Sequence, residues 1–398
     1  MHAYLRFNIL ISIPYPTWAA QTSVHHEGNL GTAPKGRLAT LFIKLYYYAT
    51  MAVRVAVIGA SGYGGAEAVR LLATHPQVTL SHLTAETQKG KRFSDLYPNL
   101  RGFVDLVTEE ADPGALAADS DVVIVSLPSG RAMGLVPELL ERGARVIDVA
   151  ADFRLHDAGQ YPVWYKFEHT APRYLAEAVY GLTELHRDQI RTARLVADCG
   201  CYPAAALLAL APFVKQGLAG PDGIVVDAVS GVSGAGRGGA SGGYGYSETN
   251  EDLRPYSVAT HNHTAEIEQE LTAQADGPVR VTFVPHLAPM TRGILVTAYA
   301  RLARAADTAS ATAVLREGYA GEPFVRVLPD GALPQTKATL GSNFCDVAVR
   351  VDPRTQTLIA MAALDNLGKG AAGQAVQNLN VMCGFAEDTG LRTPGLYP

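Results

Sequence analysis

A six-residue apolar run, Val53–Ile58, passes directly into Gly59-Ala60-Ser61-Gly62-Tyr63-Gly64-Gly65, and that turn into an amphipathic stretch, Ala66 to Thr74, stopped near Pro76. Strand, glycine-rich turn and helix in that order make a nucleotide-binding unit. The glycines allow a tight turn, backbone N–H groups reach a pyrophosphate, and the helix N-terminus favours its charge. The spacing is G-x-x-G-x-x-G rather than the commoner G-x-G-x-x-G, so the order of elements carries more of the argument than the glycines do. Further apolar runs at Val78–Leu83, Asp121–Leu127 and Arg145–Val149, separated by helical stretches, predict an α/β fold with a Rossmann-like, doubly wound parallel sheet.

Beyond Cys201 the pattern changes. Ile224–Ser230, Val279–Pro285, Gly293–Ala300, Phe324–Val327 and Phe344–Val351 read as strands with fewer helices between them, which predicts an α+β domain with a mixed or antiparallel sheet. Ala371 to Asn380 reads as a closing helix. The expected layout is a dinucleotide-binding domain of residues 51–200 with 363–398, and a catalytic and dimerisation domain of residues 201–362. Residues 1–50 carry one acid, Glu27, and no sustained period. The apolar stretch Ile9 to Ile13 is cut by Pro14 and Pro16, a poor secretory signal. Met51 is the expected true start, which intact-mass measurement would decide.

The charges are close to balanced, 33 Lys and Arg against 38 Asp and Glu in 398 residues, for a net charge of -5. That gives no field for nucleic acid or an anionic membrane, so an anionic substrate must be held by local groups. Four cysteines in so long a chain do not make a disulfide scaffold, and a cytoplasmic location is expected. The longest apolar stretch, Ala204 to Val214, is too short for a membrane span and contains Pro212.

At the tip of the second strand Thr84 stands where an NAD site places an acid, and Lys89, Lys91 and Arg92 follow. This favours a 2′-phosphate and hence NADP(H), with Glu86 the one opposing residue. The expected dinucleotide contacts are Gly59, Ser61, Gly62, Tyr63, Gly64, Gly65 and Thr84, with Ser126, Pro128, Gly234 and Asn366 from later in the chain. Asp198-Cys199-Gly200-Cys201-Tyr202-Pro203 precedes a helical run, Ala204 to Ala211. Pro203 suits a first helical turn, so Cys201 falls at a helix N-terminus, where free N–H groups stabilise a thiolate and could hold an oxyanion. Cys199 and Cys201 without a second Cys/His pair make a poor metal site, and none is expected. In His261-Asn262-His263-Thr264, Thr264 is the expected N-cap, which leaves both histidines in the preceding loop. Either could move protons for the thiol, and the spacing does not choose. Arg154, Arg237 and Arg292 are the anion-binding candidates; a phosphate plus a carboxylate needs about two of them.

Taken together, GASGYGG (59–65), DVAADFRL (148–155), GCYPAA (200–205), SGVSGAGR (230–237), HNHTAEIEQE (261–270), PMTRGIL (289–295) and NLGKGAAGQAVQNLN (366–380) resemble the N-acetyl-gamma-glutamyl-phosphate reductase family, within the semialdehyde dehydrogenases. The likeness spans residues 53–398. It implies an NADP-binding domain completed by the C-terminal helix, a homodimer or homotetramer, and a nucleophile at Cys201 served by the 261/263 histidines. The reaction implied is reduction of a small-molecule acyl phosphate to a semialdehyde with release of inorganic phosphate, in arginine biosynthesis. Two departures stand out: Asp198-Cys199 where that family has Asn-Pro, and Ala204 where it has Thr. The rival readings are a carrier-linked acyl-phosphate reductase of lysine synthesis, an aspartate-semialdehyde dehydrogenase, and a non-catalytic NADP-binding regulator.

Overall fold

The computed structural model describes residues 52–397; the expectations for residues 1–50 lie outside them. The first sheet comprises β1 (Val53–Ile58), β2 (Val78–Leu83), β3 (Val122–Val125), β4 (Arg145–Asp148), β5 (Val179–Gly181) and β6 (Leu195–Asp198). Their order is β2-β1-β3-β4-β6-β5, with every pair parallel. All four residues of β3 and all four of β6 are buried, as an inner parallel strand covered on both faces requires. Helix α1 (Tyr63–Leu72) buries Ala66, Val69 and Leu72 along one stripe against this sheet. It starts three residues before the predicted Ala66, so Tyr63 and Gly64 belong to its first turn. Because β2 and β3 leave on opposite sides of β1, a crevice opens at the carboxyl ends of these strands.

The second sheet holds β7 (Ile224–Gly231), β8 (Arg254–Pro255), β9 (Val281–Ala288), β10 (Ile294–Arg301), β11 (Val325–Val327), β12 (Cys345–Asp352) and β13 (Thr357–Leu364). It runs β11-β12-β13-β10-β7-β9-β8 and is mixed, with β7–β9 and β11–β12 parallel and the rest antiparallel. Strand β13 was not predicted. It pairs with β12 along their full length, from Cys345↔Leu364 to Asp352↔Thr357. Strands β7 and β10 alternate buried and less buried residues over most of their length, so one face of the sheet meets the core.

That face is covered by α3 (Cys201–Lys215), which follows α2 (Thr183–Thr192) and β6. Every α3 residue from Tyr202 to Val214 is buried, because the helix lies between β10, β12 and β13 on one side and α4 (His263–Gln274) and α5 (Thr308–Gly318) on the other. Each fully buried leucine here, Leu207, Leu208 and Leu210, contributes roughly 1.5–3 kcal/mol. A one-turn π-helix, Gly368–Ala372, then leads into α6 (Gly373–Cys383), which packs on α1, α2 and β4 to β6. Among the described residues no helix is long and apolar enough to cross a membrane.

Candidate active site

The glycine turn is built for close approach. Gly59 sits at φ +76°, and a Cβ on it would strike the Ser126 carbonyl at the end of β3, so β1 and β3 can meet here only through glycine. The N-cap of α1, Gly62, offers no side-chain cap, which leaves the first N–H groups of the helix open to a ligand. These features fit the phosphates of a dinucleotide. Ser61 turns its carbonyl to Tyr97 Oη at 2.8 Å and Arg237 Nη1 at 3.1 Å, while Gly65 is buried inside α1.

A cavity of about 560 Å3 opens from this turn. Gly62, Tyr63, Gly64, Ser126 and Pro128 line it on one side. Gly234, Arg237 and Asn366 line it from the second sheet's loops, and Arg154, Cys201 and His263 complete it. Asn366 is held by two contacts: its Nδ2 donates to Ser233 Oγ (2.9 Å), and its Oδ1 accepts from the Gly293 N–H (2.8 Å). Gly59, Thr84 and Pro128 line a neighbouring cavity of about 400 Å3 at the ends of β1 to β3.

Cys201 is the first residue of α3, with Gly200 as N-cap in extended conformation and Pro203 in the first turn. Three groups meet at this helix start. The His263 imidazole lies against Gly200, where an added Cβ would come within 2.6 Å of Nε2. Gly370 of the π-helix packs on the Cys201 side chain. Glu266, fully buried, accepts from the Gly200 N–H at 3.0 Å. The same carboxylate accepts from Arg154 Nη1 (3.1 Å), Tyr165 Oη (3.1 Å) and Tyr180 Oη (3.0 Å). Sequence reasoning did not assign Glu266 a part. The signal was there, since it stands three residues after His263 on the same helical face.

One expectation is corrected at this point. Thr264 is not the N-cap of α4: the helix begins at His263, its N-cap is Asn262, and the Thr264 hydroxyl is buried without a partner. His263 is therefore fixed by the helix, and only His261 lies in the loop. The two differ in place. His263 lines the cavity, whereas His261 sits behind it against Tyr202, Tyr256 and Phe283, its Nδ1 accepting the His263 N–H at 3.2 Å. Arg292 lines an adjoining cavity of about 370 Å3, shared with Tyr63, Ser233, Gly236 and Arg237. Its guanidinium is bidentate on Glu67 of α1, at 2.8 and 3.0 Å, and lies 3.5 Å from Asp365.

Arg154 is buried and anchored by Glu266 and the Val149 carbonyl (2.9 Å), and its Nε has no partner. Burial, followed by the Arg154 charge, holds His263 well below the usual imidazole range, so the ring is neutral. Burial also pushes the Cys201 thiol up to about 11, although Arg154 and the Tyr202 N–H both favour the thiolate. Cys199 is sealed in the interior, its thiol driven up by burial and then by Asp198.

A neutral imidazole and a cysteine at a helix start share one cavity with the glycine turn of an α/β, doubly wound sheet. Residues 54–193 match the family described as semialdehyde dehydrogenase, NAD binding domain, and residues 201–366 match semialdehyde dehydrogenase, dimerisation domain. The chain belongs to the semialdehyde dehydrogenase family. Within it, the chain is a member of the N-acetyl-gamma-glutamyl-phosphate reductases. The reductase of that name from Pelotomaculum thermopropionicum is 53% identical over 348 residues, 87% of this chain and 100% of the relative. Those of Symbiobacterium thermophilum and Geobacter sulfurreducens are 52% and 49% identical, each over 87% of this chain and 100% of their own length. Aspartate semialdehyde dehydrogenase II from Vibrio cholerae shares the fold at TM-score 0.65 and 18% identity, covering 84% of this chain and 99% of its own. The Candida albicans enzyme solved with NADP shares it at 0.64 and 17%, covering 85% and 99%.

Proposed function

We propose that the chain reduces N-acetyl-gamma-glutamyl phosphate to N-acetyl-glutamate semialdehyde and inorganic phosphate, with NADPH as reductant, as a step of arginine biosynthesis in the cytoplasm. The observation that carries this reading is the placing of Cys201 and the His263 imidazole in one cavity with the glycine turn. Neutral His263 takes the thiol proton as the sulfur attacks the acyl carbon; the C–O bond to phosphate breaks and a thioester forms. The proton passes from His263 to the departing phosphate. Arg154 and Arg237, both on the cavity wall, draw the phosphate and the substrate carboxylate into the cavity. N–H groups at the start of α3 favour the negative oxygen on the attacked carbon. A dinucleotide held by the glycine turn, Ser126, Pro128 and Asn366 supplies a hydride to that carbon when bound. The carbonyl reforms as the C–S bond breaks, the aldehyde leaves, and the Cys201 thiolate takes a proton from solvent, relayed by His263. Residues 201–366 carry the self-association into a homodimer or homotetramer.

The test is phosphate-dependent reduction of NADP with N-acetyl-glutamate semialdehyde. Cys201→Ser is expected to bind NADPH normally and to lose essentially all turnover. Undiminished turnover in that variant would overturn the covalent route, and faster turnover with aspartate semialdehyde or a carrier-linked semialdehyde would overturn the substrate.

A further inference from the structure

The cavity at the ends of β1, β2 and β3 has the size and place for an adenosine, in the crevice where the sheet order reverses. The cations that the sequence offers for a 2′-phosphate, Lys89, Lys91 and Arg92, do not line it. Lys89 Nζ is bound to Glu110 at 2.8 Å, Lys91 Nζ to Gln88 at 2.9 Å, and Arg92 to Asp105 at 3.3 Å. The cation that does line the cavity is Arg131, from the turn after β3. Its side chain is exposed, and its guanidinium makes no hydrogen bond or ion pair with a described residue. Across the same cavity Glu86, at the tip of β2, is equally uncommitted.

We infer that Arg131 reads the adenosine 2′ position by binding a 2′-phosphate, and that Glu86 opposes it. A guanidinium fork matches a phosphate dianion and gains nothing comparable from a hydroxyl. A carboxylate repels the phosphate yet accepts a hydrogen bond from a 2′-OH. The two readers therefore pull cofactor choice in opposite directions. This inference rests on the proposed use of NADPH and assigns the residue that enforces it.

Fluorescence titration of the full chain with NADPH and NADH, alongside adenosine 2′,5′-bisphosphate and 5′-AMP as competing fragments, separates these contributions. Arg131→Ala is expected to weaken NADPH and the 2′,5′-bisphosphate about ten- to a hundredfold, the range of one or two charge-assisted hydrogen bonds, and to leave NADH and 5′-AMP unchanged. Arg131→Lys should keep part of the preference, and Glu86→Gln should tighten NADPH while weakening NADH. If the native chain prefers NADPH but Arg131→Ala weakens both nucleotides alike, Arg131 touches the base rather than the phosphate; the inference then fails and the cofactor reading stands. If the native chain binds NADH as tightly as NADPH, the cofactor reading fails and this inference with it.

Discussion

At Cys201 two influences oppose each other. The helix start and Arg154 favour the thiolate, and burial favours the thiol; burial is the larger, leaving the group at about 11. At neutral pH the sulfur rests protonated, and its reactivity depends on a base that can take the proton during attack. In the proposed mechanism His263, held neutral by burial and then by the Arg154 charge, is that base. A thiol at about 11 is only sparsely ionised at neutral pH. Alkylation of Cys201 by iodoacetamide, which uses the thiolate, should therefore climb about tenfold per pH unit from pH 6 to 9 in the native chain. His263→Ala should leave that profile steep and lower turnover about 10²–10⁴-fold, the contribution of a positioned general base. His261→Ala, behind the cavity wall, should keep most of the turnover. Native turnover in His263→Ala, or its loss in His261→Ala alone, would reverse the assignment. The sequence placed Cys201 at a helix start but carried no measure of its burial, which depends on Gly370 and Glu266 arriving from distant parts of the chain. It also left the histidines equivalent, because what separates them is a helix boundary two residues from where Thr264 suggested it.

The π-helix Gly368–Ala372 is the element that closes the site from behind. Gly370 packs on Cys201, where an added Cβ would come within 2.8 Å of the cysteine's own. The next residue toward the N-terminus, Lys369, is fully buried, with Nζ donating to Glu184 (2.6 Å), Gln374 (2.5 Å) and Gln377 (2.7 Å). A charge so placed is tolerated only because its hydrogen bonds and partner are complete. Lys369→Met should cost about 3–5 kcal/mol, since it strands the Glu184 carboxylate without its counter-charge. Replacing both residues by Met should recover most of that loss in urea unfolding. If the double variant is as unstable as the single one, packing rather than charge holds the turn. The strand–turn–helix that opens the first sheet was legible because its period and glycines are local. Strand β13 was missed although its eight residues are apolar enough, because the turn at 353–356 separates it from β12 without a glycine. The π-turn has no sequence period of its own; Lys369 is held in part by Glu184, 185 positions away, and Asn366 in part by Ser233, 133 positions away.

Across the molecule, a buried carboxylate on α1 ties the first sheet to the second. Glu67 of α1 accepts from Arg70 at 2.7 and 3.1 Å and from Arg292, in the β9–β10 turn, at 2.8 and 3.0 Å. An arginine among small residues before a strand looks the same in sequence whether it faces a ligand, a partner helix or both. Burial alone would raise the Glu67 carboxyl, but the hydrogen bonds from Arg292 and Arg70 outweigh it and hold the group at about 2. A carboxyl lowered on folding stabilises the folded chain above its ordinary pKa and stops doing so as the pH falls through the lowered value. The contribution is on the order of 3 kcal/mol. The window follows directly: stability should fall between about pH 5 and pH 2. In Glu67→Gln the urea midpoint should lie below that of the native chain at pH 5, and the gap should close as the pH approaches 2. Arg292→Lys should show an intermediate gap, since an ammonium cannot bind both carboxylate oxygens in a fork. Midpoints of the native chain and Glu67→Gln that run parallel across the window would mean that the carboxylate does not hold the two sheets together. Acid loss of stability would then have to arise at other carboxylates.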